Sequence, residues 1–155
     1  MVSSAEARLA AAGIELPPAP APFGAYVPAV QTGNLLFLTG MLPTVGHEAK
    51  FLGRAGRELT VEQVRAAAYA AALNVLAVAR QQLGSLDRIS RVVRLGVYIA
   101  TAGDFSDHVT VADGASELLR DILGEDKMSS RLVFGVESLP LGVPVELEVI
   151  FEVST

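Results

Sequence analysis

The sequence predicts an α+β sandwich, in which one β-sheet carries two helices on the same side, in the order β-β-α-β-α-β-β. Two long runs have the apolar spacing of helices, a β-rich run lies between them, and the C-terminal run alternates apolar with acidic residues. With 155 residues, 51% of them hydrophobic, the chain can bury one sizeable core. We therefore expect a single domain over residues 22–155, preceded by an N-terminal extension.

The N-terminal extension, residues 1–21, is predicted to contain a short helix and a proline-rich connector. Ser3 and Glu6 have the spacing of a capping box, and Gly13 can end a helix, so residues 4–12 are assigned to one. The prolines that follow favour an extended, polyproline-like conformation.

Two apolar runs, residues 26–30 and 35–39, flank the turn-forming residues 32–34 and predict a β-hairpin. Residues 41–58 are rich in glycine and charge, and are predicted to form a loop. His47 lies in that loop and is interpreted as a solvated residue rather than a catalytic one.

The most distinct helix signal begins with the capping box formed by Thr60 and Gln63 and stops at Gly84. A β-rich run over residues 91–100 follows and predicts a buried strand. Helical spacing returns over residues 106–123, where His108 is expected to be a solvated residue at the start of the second helix.

The final strands are assigned to residues 131–137 and 145–153, and their closeness in sequence favours a hairpin. Such a hairpin would set Arg131 opposite Phe151 and place it about 17 Å from Glu146 along the sheet. In the last strand the alternation gives one apolar face and one largely acidic face.

Helices on one side leave the other face of the sheet uncovered, although it carries apolar residues such as Ile150 and those of the first hairpin. A monomer would expose these side chains to water. The pattern therefore predicts a homo-oligomer in which copies of the sheet cover one another.

Composition excludes several classes of protein. A net charge of −5 and a pI near 5.0 argue against nucleic acid as a partner. There is no cysteine, only two distant histidines and no phosphate-binding glycine loop, so we predict neither a metal site nor a cofactor. The sequence shows neither a signal peptide nor a membrane span, and we expect a cytoplasmic protein with no membrane partner.

Three stretches resemble one known superfamily: LFLTGMLP at residues 36–43, RLVFGVESLP at residues 131–140, and VELE at residues 145–148. In that pattern an arginine opens a strand, Leu-Pro ends it eight and nine residues later, and Glu-x-Glu follows. The chain is similar to the YjgF/Rid superfamily of reactive-intermediate deaminases, also labelled endoribonuclease L-PSP. This resemblance implies a chorismate mutase-like fold and a homotrimer with a barrel-like centre and a ligand cleft at each subunit interface.

The resemblance also implies the site. Arg131 would bind the carboxylate of an imino acid, and Glu146 would hold or activate the attacking water. The remaining implied contacts to the ligand come from Tyr26, Thr39, Gly40 and the main chain of Val133. Because Arg131 and Glu146 are expected to lie too far apart for one small ligand within a chain, both can act on it only from neighbouring subunits.

The sequence departs from the family pattern at several positions. Val133 stands where the family has cysteine. Met41 stands where the family has glutamine, and Ala112 or Asp113 stands where it has asparagine. These departures leave the choice of substrate open.

The implied reaction is the hydrolysis of reactive 2-imino or enamine acids to 2-keto acids and ammonia. A guanidinium suits the carboxylate because it forms two parallel hydrogen bonds, and a desolvated glutamate suits the proton transfer. The alternatives are a binding protein for small carboxylates such as 2-keto acids, and an endoribonuclease.

The residues themselves allow structural roles. Arg131 could pair with Glu125 or Asp126, and Glu146 and Glu148 could form a water-facing strand face. Tyr26 could be a packing residue, and Thr39 could simply end a strand.

Overall fold

The computed structural model describes residues 3–155, which form three α-helices, three short 3-10 turns and seven strands. In chain order the α-helices and strands are α1 (Ala5–Ala11), β1 (Ala29–Thr32), β2 (Leu35–Leu38), β3 (Thr44–Val45), β4 (Glu48–Ala49), α2 (Val61–Leu83), β5 (Ile89–Ala100), α3 (His108–Leu123), β6 (Ser130–Val136) and β7 (Val145–Val153).

The main sheet has the strand order β1-β2-β7-β5-β6, and β3 and β4 form a separate two-stranded ladder. All neighbouring strands of the main sheet are antiparallel except β5 and β6, which are parallel and joined through α3. The predicted α+β order β-β-α-β-α-β-β is confirmed.

The predicted hairpin of the two C-terminal strands is wrong, because β5 lies between β6 and β7. Arg131 is in register with Leu95, and Leu95 is in register with Val149, so Arg131 is not opposite Phe151. The connection after β6 crosses over β5, and this insertion places the strand of Arg131 at the edge of the sheet.

Small residues let the two long helices pack closely over the sheet. The alanines of α2 that face the core are fully buried, and their side chains are too short to hold the layers apart. A Cβ at Gly114 of α3 would collide with the backbone carbonyl of Arg65, so only glycine permits this approach of the helices. Phe151 of β7 is the largest fully buried side chain beneath them.

The start of α2 agrees with its sequence signals. Thr60 Oγ1 accepts a hydrogen bond from Gln63 N at 3.2 Å, and Gln63 Oε1 accepts one from Thr60 N at 2.8 Å. The helix ends at Gly84, whose φ of 85° lies in the left-handed region.

Local signals were less accurate at the N-terminal side. The side chain that caps α1 is Ser4, not Ser3. The first strand begins at Ala29, three residues later than predicted, and the predicted loop contains the short strands β3 and β4.

The N-terminal helix is fixed to the helical layer. Ala5 and Leu9 are buried in the core, and the Glu6 carboxylate accepts hydrogen bonds from the Arg80 guanidinium, the shortest at 2.7 Å. Arg8 Nη1 also donates to the carbonyl of Ile122 in α3.

The face of the sheet opposite the helices carries exposed apolar side chains. Val30, Phe37, Leu132 and Phe134 are 38–54% exposed. Val30, Phe37 and Ile150 lie in one row across β1, β2 and β7. We refer to this surface as the open face. Among residues 3–155, no helix combines the length and the apolar character needed to span a bilayer.

Candidate functional site

The carboxylate of Glu146 lies on the open face, at the wall of a cleft of about 330 Å³. Strand alternation places Val145 and Leu147 in the core and Glu146 on the opposite side of β7. The remaining walls of the cleft are formed by Phe23, Tyr26, Thr39, Gly40, Leu42, Pro140 and Leu141.

Gly40 makes room for this carboxylate. A Cβ at Gly40 would overlap a carboxylate oxygen of Glu146 and lie 3.0 Å from its carboxyl carbon. The segment that carries Gly40 is fixed to β7 because Met41 and Leu147 exchange backbone hydrogen bonds of 2.8 and 2.9 Å. The absence of a side chain at position 40 therefore determines where the Glu146 carboxylate sits.

The next residues of that segment are held by a buried amide. Asn74 of α2 is 2% exposed, and its Nδ2 donates to the carbonyls of Leu42 and Thr44, both at 3.0 Å. A buried amide that donates to two backbone carbonyls in this way fixes the segment that carries them. One wall of the cleft is thus tied to the helical layer.

Desolvation by burial raises the pKa of Glu146 above the usual value of a glutamate. Within residues 3–155, neither a hydrogen bond nor an ion pair to the Glu146 carboxylate offsets this desolvation. A carboxylate that is desolvated and free of partners is a better proton acceptor than a solvated one.

Glu148, two residues further along the same face, has hydrogen-bond partners, unlike Glu146. Its Oε1 accepts a hydrogen bond from Arg94 Nε at 3.1 Å and another from the Tyr98 hydroxyl at 3.0 Å. Gly96 provides the space for this network, because a Cβ there would lie 3.0 Å from the same oxygen. Of the two glutamates, Glu146 is the one that remains free to act on a ligand.

Aromatic side chains form the outer wall of the cleft. The Tyr26 hydroxyl accepts a hydrogen bond from Phe23 N at 2.8 Å, which leaves its own proton available to a ligand. The Phe23 ring stacks on His47, with 4.2 Å between the centroids and 5° between the planes. His47 is exposed, and it also supports the wall of the cleft.

Arg131 lies on the other side of the sheet, away from Glu146. Its Nη1 donates to Asp113 Oδ1 at 2.8 Å and to Ser116 Oγ at 3.0 Å, and both acceptors belong to α3. The alternative partners considered from sequence, Glu125 and Asp126, do not pair with it; Asp113 does.

The separation of Arg131 and Glu146 within one chain can be read from the register. Arg131 is level with Val149, three residues beyond Glu146 on β7, and β5 lies between their strands. That corresponds to about 10 Å along the strands and about 10 Å across them. Because the two side chains also point to opposite faces, they do not meet in one chain.

The predicted site residues therefore divide into two groups. Tyr26, Thr39 and Gly40 share the cleft with Glu146, whereas Val133 lies on β6 with Arg131 and packs against the core. Within residues 3–155, no three histidine, aspartate or glutamate side chains are grouped so that they could bind a metal ion.

Sequence reasoning missed the residues that complete the cleft, namely Phe23, Leu42, Pro140 and Leu141. Pro140 is the last residue of the motif that begins at Arg131. That motif lies just before Glu-x-Glu in the sequence, which was the available indication that Pro140 lies near Glu146. Leu141 has a φ of 61°, and the left-handed conformation costs a residue with a Cβ about 1–2 kcal/mol.

An α+β sandwich with an uncovered sheet face and a carboxylate cleft at one end of that face defines the chorismate mutase-like class of folds. The comparisons lead from the class to the family. Residues 6–152 match the model of the family described as YjgF/chorismate mutase-like endoribonuclease, and the chain belongs to that family.

Individual relatives agree with this assignment. Protein TCP17 of Trypanosoma cruzi is 38% identical over 149 residues, which cover 96% of this chain and 93% of TCP17. The crystal structure of Atu1372 from Agrobacterium tumefaciens, a protein of unknown function, is 34% identical with a TM-score of 0.87, covering 97% of this chain and 92% of that one.

A more distant structure contains a ligand. Escherichia coli TdcF, crystallised with bound serine, is 23% identical with a TM-score of 0.64, and the match covers 91% of this chain and 98% of TdcF. At this identity the likeness shows the shared fold.

Proposed function

We propose that this protein hydrolyses reactive 2-imino acids to 2-keto acids and ammonia. The observation that carries the proposal is the Glu146 carboxylate, which is desolvated, free of partners and positioned by Gly40 at the wall of a cleft of small-molecule size. The serine bound to TdcF, which shares this fold, supports an amino-acid-like ligand.

The reaction requires little from the protein beyond positioning and proton transfer. Glu146 accepts a proton from a water as the water oxygen bonds to the imine carbon, and the C=N electron pair moves to nitrogen. The same carboxyl group returns the proton to the nitrogen, which gives a carbinolamine. Glu146 then transfers the proton of the carbinolamine hydroxyl to the nitrogen, and the C–N bond breaks to release ammonia as the carbonyl forms. The Tyr26 hydroxyl and the Thr39 side chain can donate hydrogen bonds to the intermediate.

The substrate carboxylate is assigned to Arg131 of a neighbouring subunit. Asp113 and Ser116 engage only Nη1, so the Nε and Nη2 hydrogens remain available for a side-on, two-bond contact. β6 is an edge strand, so its outer backbone groups, including those near Val133, can also face a ligand.

An assembly of several chains agrees with this assignment. The exposed apolar residues of the open face favour burial against other copies, and we propose the homotrimer that the resemblance implies. Each of its three clefts would combine Glu146 of one chain with Arg131 of the next.

The endoribonuclease description fits these residues less well. Cleavage of RNA requires an acid, a base and positive charge near the phosphate. Within one chain the cleft presents a carboxylate, the hydroxyls of Tyr26 and Thr39 and otherwise apolar walls, and the chain has a net charge of −5.

An imine-trapping assay tests the proposal. An amino-acid oxidase generates imines of small and large amino acids in situ, semicarbazide competes for them, and the purified protein diverts them to keto acid. Glu146→Gln should reduce the rate by about 10²-fold or more, because general acid–base catalysis contributes that much. Glu152→Gln is the matched control, since Glu152 lies on the same strand face outside the cleft.

Two outcomes would contradict the proposal. If Glu146→Gln retains the activity of the Glu152→Gln control, Glu146 is not the proton acceptor. If the wild-type protein leaves both small and large imines unchanged but binds 2-keto acids, the cleft is a carboxylate-binding site without turnover.

A further inference from the structure

The turn before β7 contains a leucine in an unfavourable backbone conformation. Leu141 has φ 61° and ψ 9°, within the short helical turn Pro140–Gly142. Among residues 3–155, it shares a positive φ only with His47 and with glycines. Glycine would adopt this conformation without steric cost, and a bulky side chain there is an outlier that needs an explanation.

Packing within the chain does not explain the leucine. Its side chain is 51% exposed, so it gains little from burial. The turn is held in place by backbone hydrogen bonds, which run from Gly142 N to Leu139 O and from Gly53 N to Gly142 O. These bonds do not depend on which side chain residue 141 carries. What remains to be explained is therefore why a leucine side chain projects from this turn.

The surroundings of Leu141 indicate what its side chain serves. It lies in the wall of the Glu146 cleft, together with Phe23, Tyr26 and Leu42. Phe23 and Tyr26 are themselves 40% and 44% exposed. Several large apolar side chains around a single carboxylate make an apolar recess beside the reacting centre, and no positively charged residue of the same chain lines it.

We propose that the cleft selects 2-imino acids with large apolar side chains, and that Leu141 is a specificity-determining residue that contacts that side chain. This inference rests on the proposed imine hydrolysis and deepens it. A large apolar substituent would cover the apolar groups that water otherwise contacts, whereas a methyl group would leave them exposed. The strained turn sets the Leu141 side chain in the wall that the cleft shares with the adjoining hollow.

The test compares kcat/KM for imines generated from leucine and from alanine, in the same trapping assay. Leu141→Gly removes the side chain and relieves the backbone strain, and Leu141→Asn keeps a residue that tolerates the left-handed region. Leu52→Asn is the matched control, because Leu52 is 57% exposed and lines the adjoining hollow on the other side of the same turn.

The wild-type protein should prefer the leucine imine, and both Leu141 variants should reduce that preference by about tenfold, a typical value for lost apolar contacts in a pocket. The Tm of Leu141→Gly should stay the same or rise. The Leu52 control should keep the preference of the wild type.

Each contrary result has a separate meaning. Turnover of both imines with equal efficiency by the wild-type protein, or an unchanged preference in the Leu141 variants, would overturn this inference and leave imine hydrolysis standing. An unchanged preference together with dissociation of the Leu141→Gly oligomer would show that Leu141 contacts another copy of the chain instead. A wild-type protein inert toward both imines would overturn the proposed function and this inference together.

Discussion

Replacing Gly40 with alanine should abolish most of the activity without unfolding the protein. The added Cβ would lie 3.0 Å from the Glu146 carboxyl carbon and overlap one of its oxygens, whereas ordinary contact begins at 3.4 Å. The Glu146 carboxylate must therefore move by roughly 1 Å, and a misplacement of that size can reduce a rate by about 100-fold.

The stability of the Gly40→Ala variant separates this effect from misfolding. Gly40 does not have a positive φ, so alanine fits its backbone, and the colliding group is the end of a flexible side chain. Alanine also restricts the unfolded chain, which stabilises a protein by about 0.4–1 kcal/mol at a compatible site. The Tm should therefore stay within a few degrees of the wild-type value.

The assay is imine trapping at equal protein concentration, with thermal unfolding measured on the same samples. Gly96→Ala is the matched control, because its Cβ would meet Glu148 Oε1 at 3.0 Å and the Tyr98 hydroxyl at 3.2 Å. That variant should keep most of its activity. Wild-type activity in Gly40→Ala, or equal losses in the two variants, would refute the reasoning about Glu146.

Three further predictions follow from the contacts of the site. Glu146→Gln should raise Tm at neutral pH, because burial raises the pKa of Glu146 in the folded state and folding therefore disfavours its charged form. The advantage of glutamine should shrink as the pH falls through that raised pKa toward the usual value of 4.5 and should be lost below it; a difference that grows toward acid pH would contradict this. Asn74→Ala should lower the free energy of unfolding by about 1–3 kcal/mol in urea titrations, because it removes the side-chain donor of the Thr44 carbonyl and one of the two donors of the Leu42 carbonyl, and it should also lower activity; an unchanged midpoint would contradict it. Asp113→Ala should raise KM several-fold, because Asp113 orients Arg131. It should cost at most about 1 kcal/mol of stability, because a partly exposed ion pair contributes little. Glu117→Ala, which removes another ion pair of the same helix, should leave KM unchanged.

Local signals in the sequence predicted the elements that depend on local physics. The helix α2 has its capping box at Thr60 and a left-handed glycine at Gly84, and both operate in the structure as expected. The alternation of β7 likewise placed Glu146 on the face opposite the core, because successive side chains of a strand point to opposite sides.

The pairing of strands depends on distant residues and could not be read in this way. The short connection between β6 and β7 favoured a hairpin, but the structure inserts β5 between them. The face of the sheet to which Arg131 points could not be predicted either. Leu132 and Phe134 belong to one face of β6 and Val133 to the other, and because all three are apolar the pattern does not show which face is buried.

The cleft residues were missed for a related reason. Phe23 and Leu141 are far apart in sequence, and neither belongs to a motif with a defined chemical role. Leu141 precedes Glu146 by a few residues, but it shares a cleft with Phe23 because the segment after β2, which lines the same cleft, pairs with β7 through Met41 and Leu147. Such a juxtaposition follows from the register of the sheet and not from a local pattern.

The central claim is that one active site combines Glu146 of one chain with Arg131 of its neighbour, and activity in mixed oligomers tests it most directly. Arg131→Ala and Glu146→Gln chains, each inactive alone, are unfolded together, refolded at a 1:1 ratio and assayed by imine trapping. In a cyclic trimer with heterologous interfaces, random mixing restores an intact pair at about one quarter of the sites, so about a quarter of the wild-type activity should return. A mixture as inactive as its two components would contradict the claim.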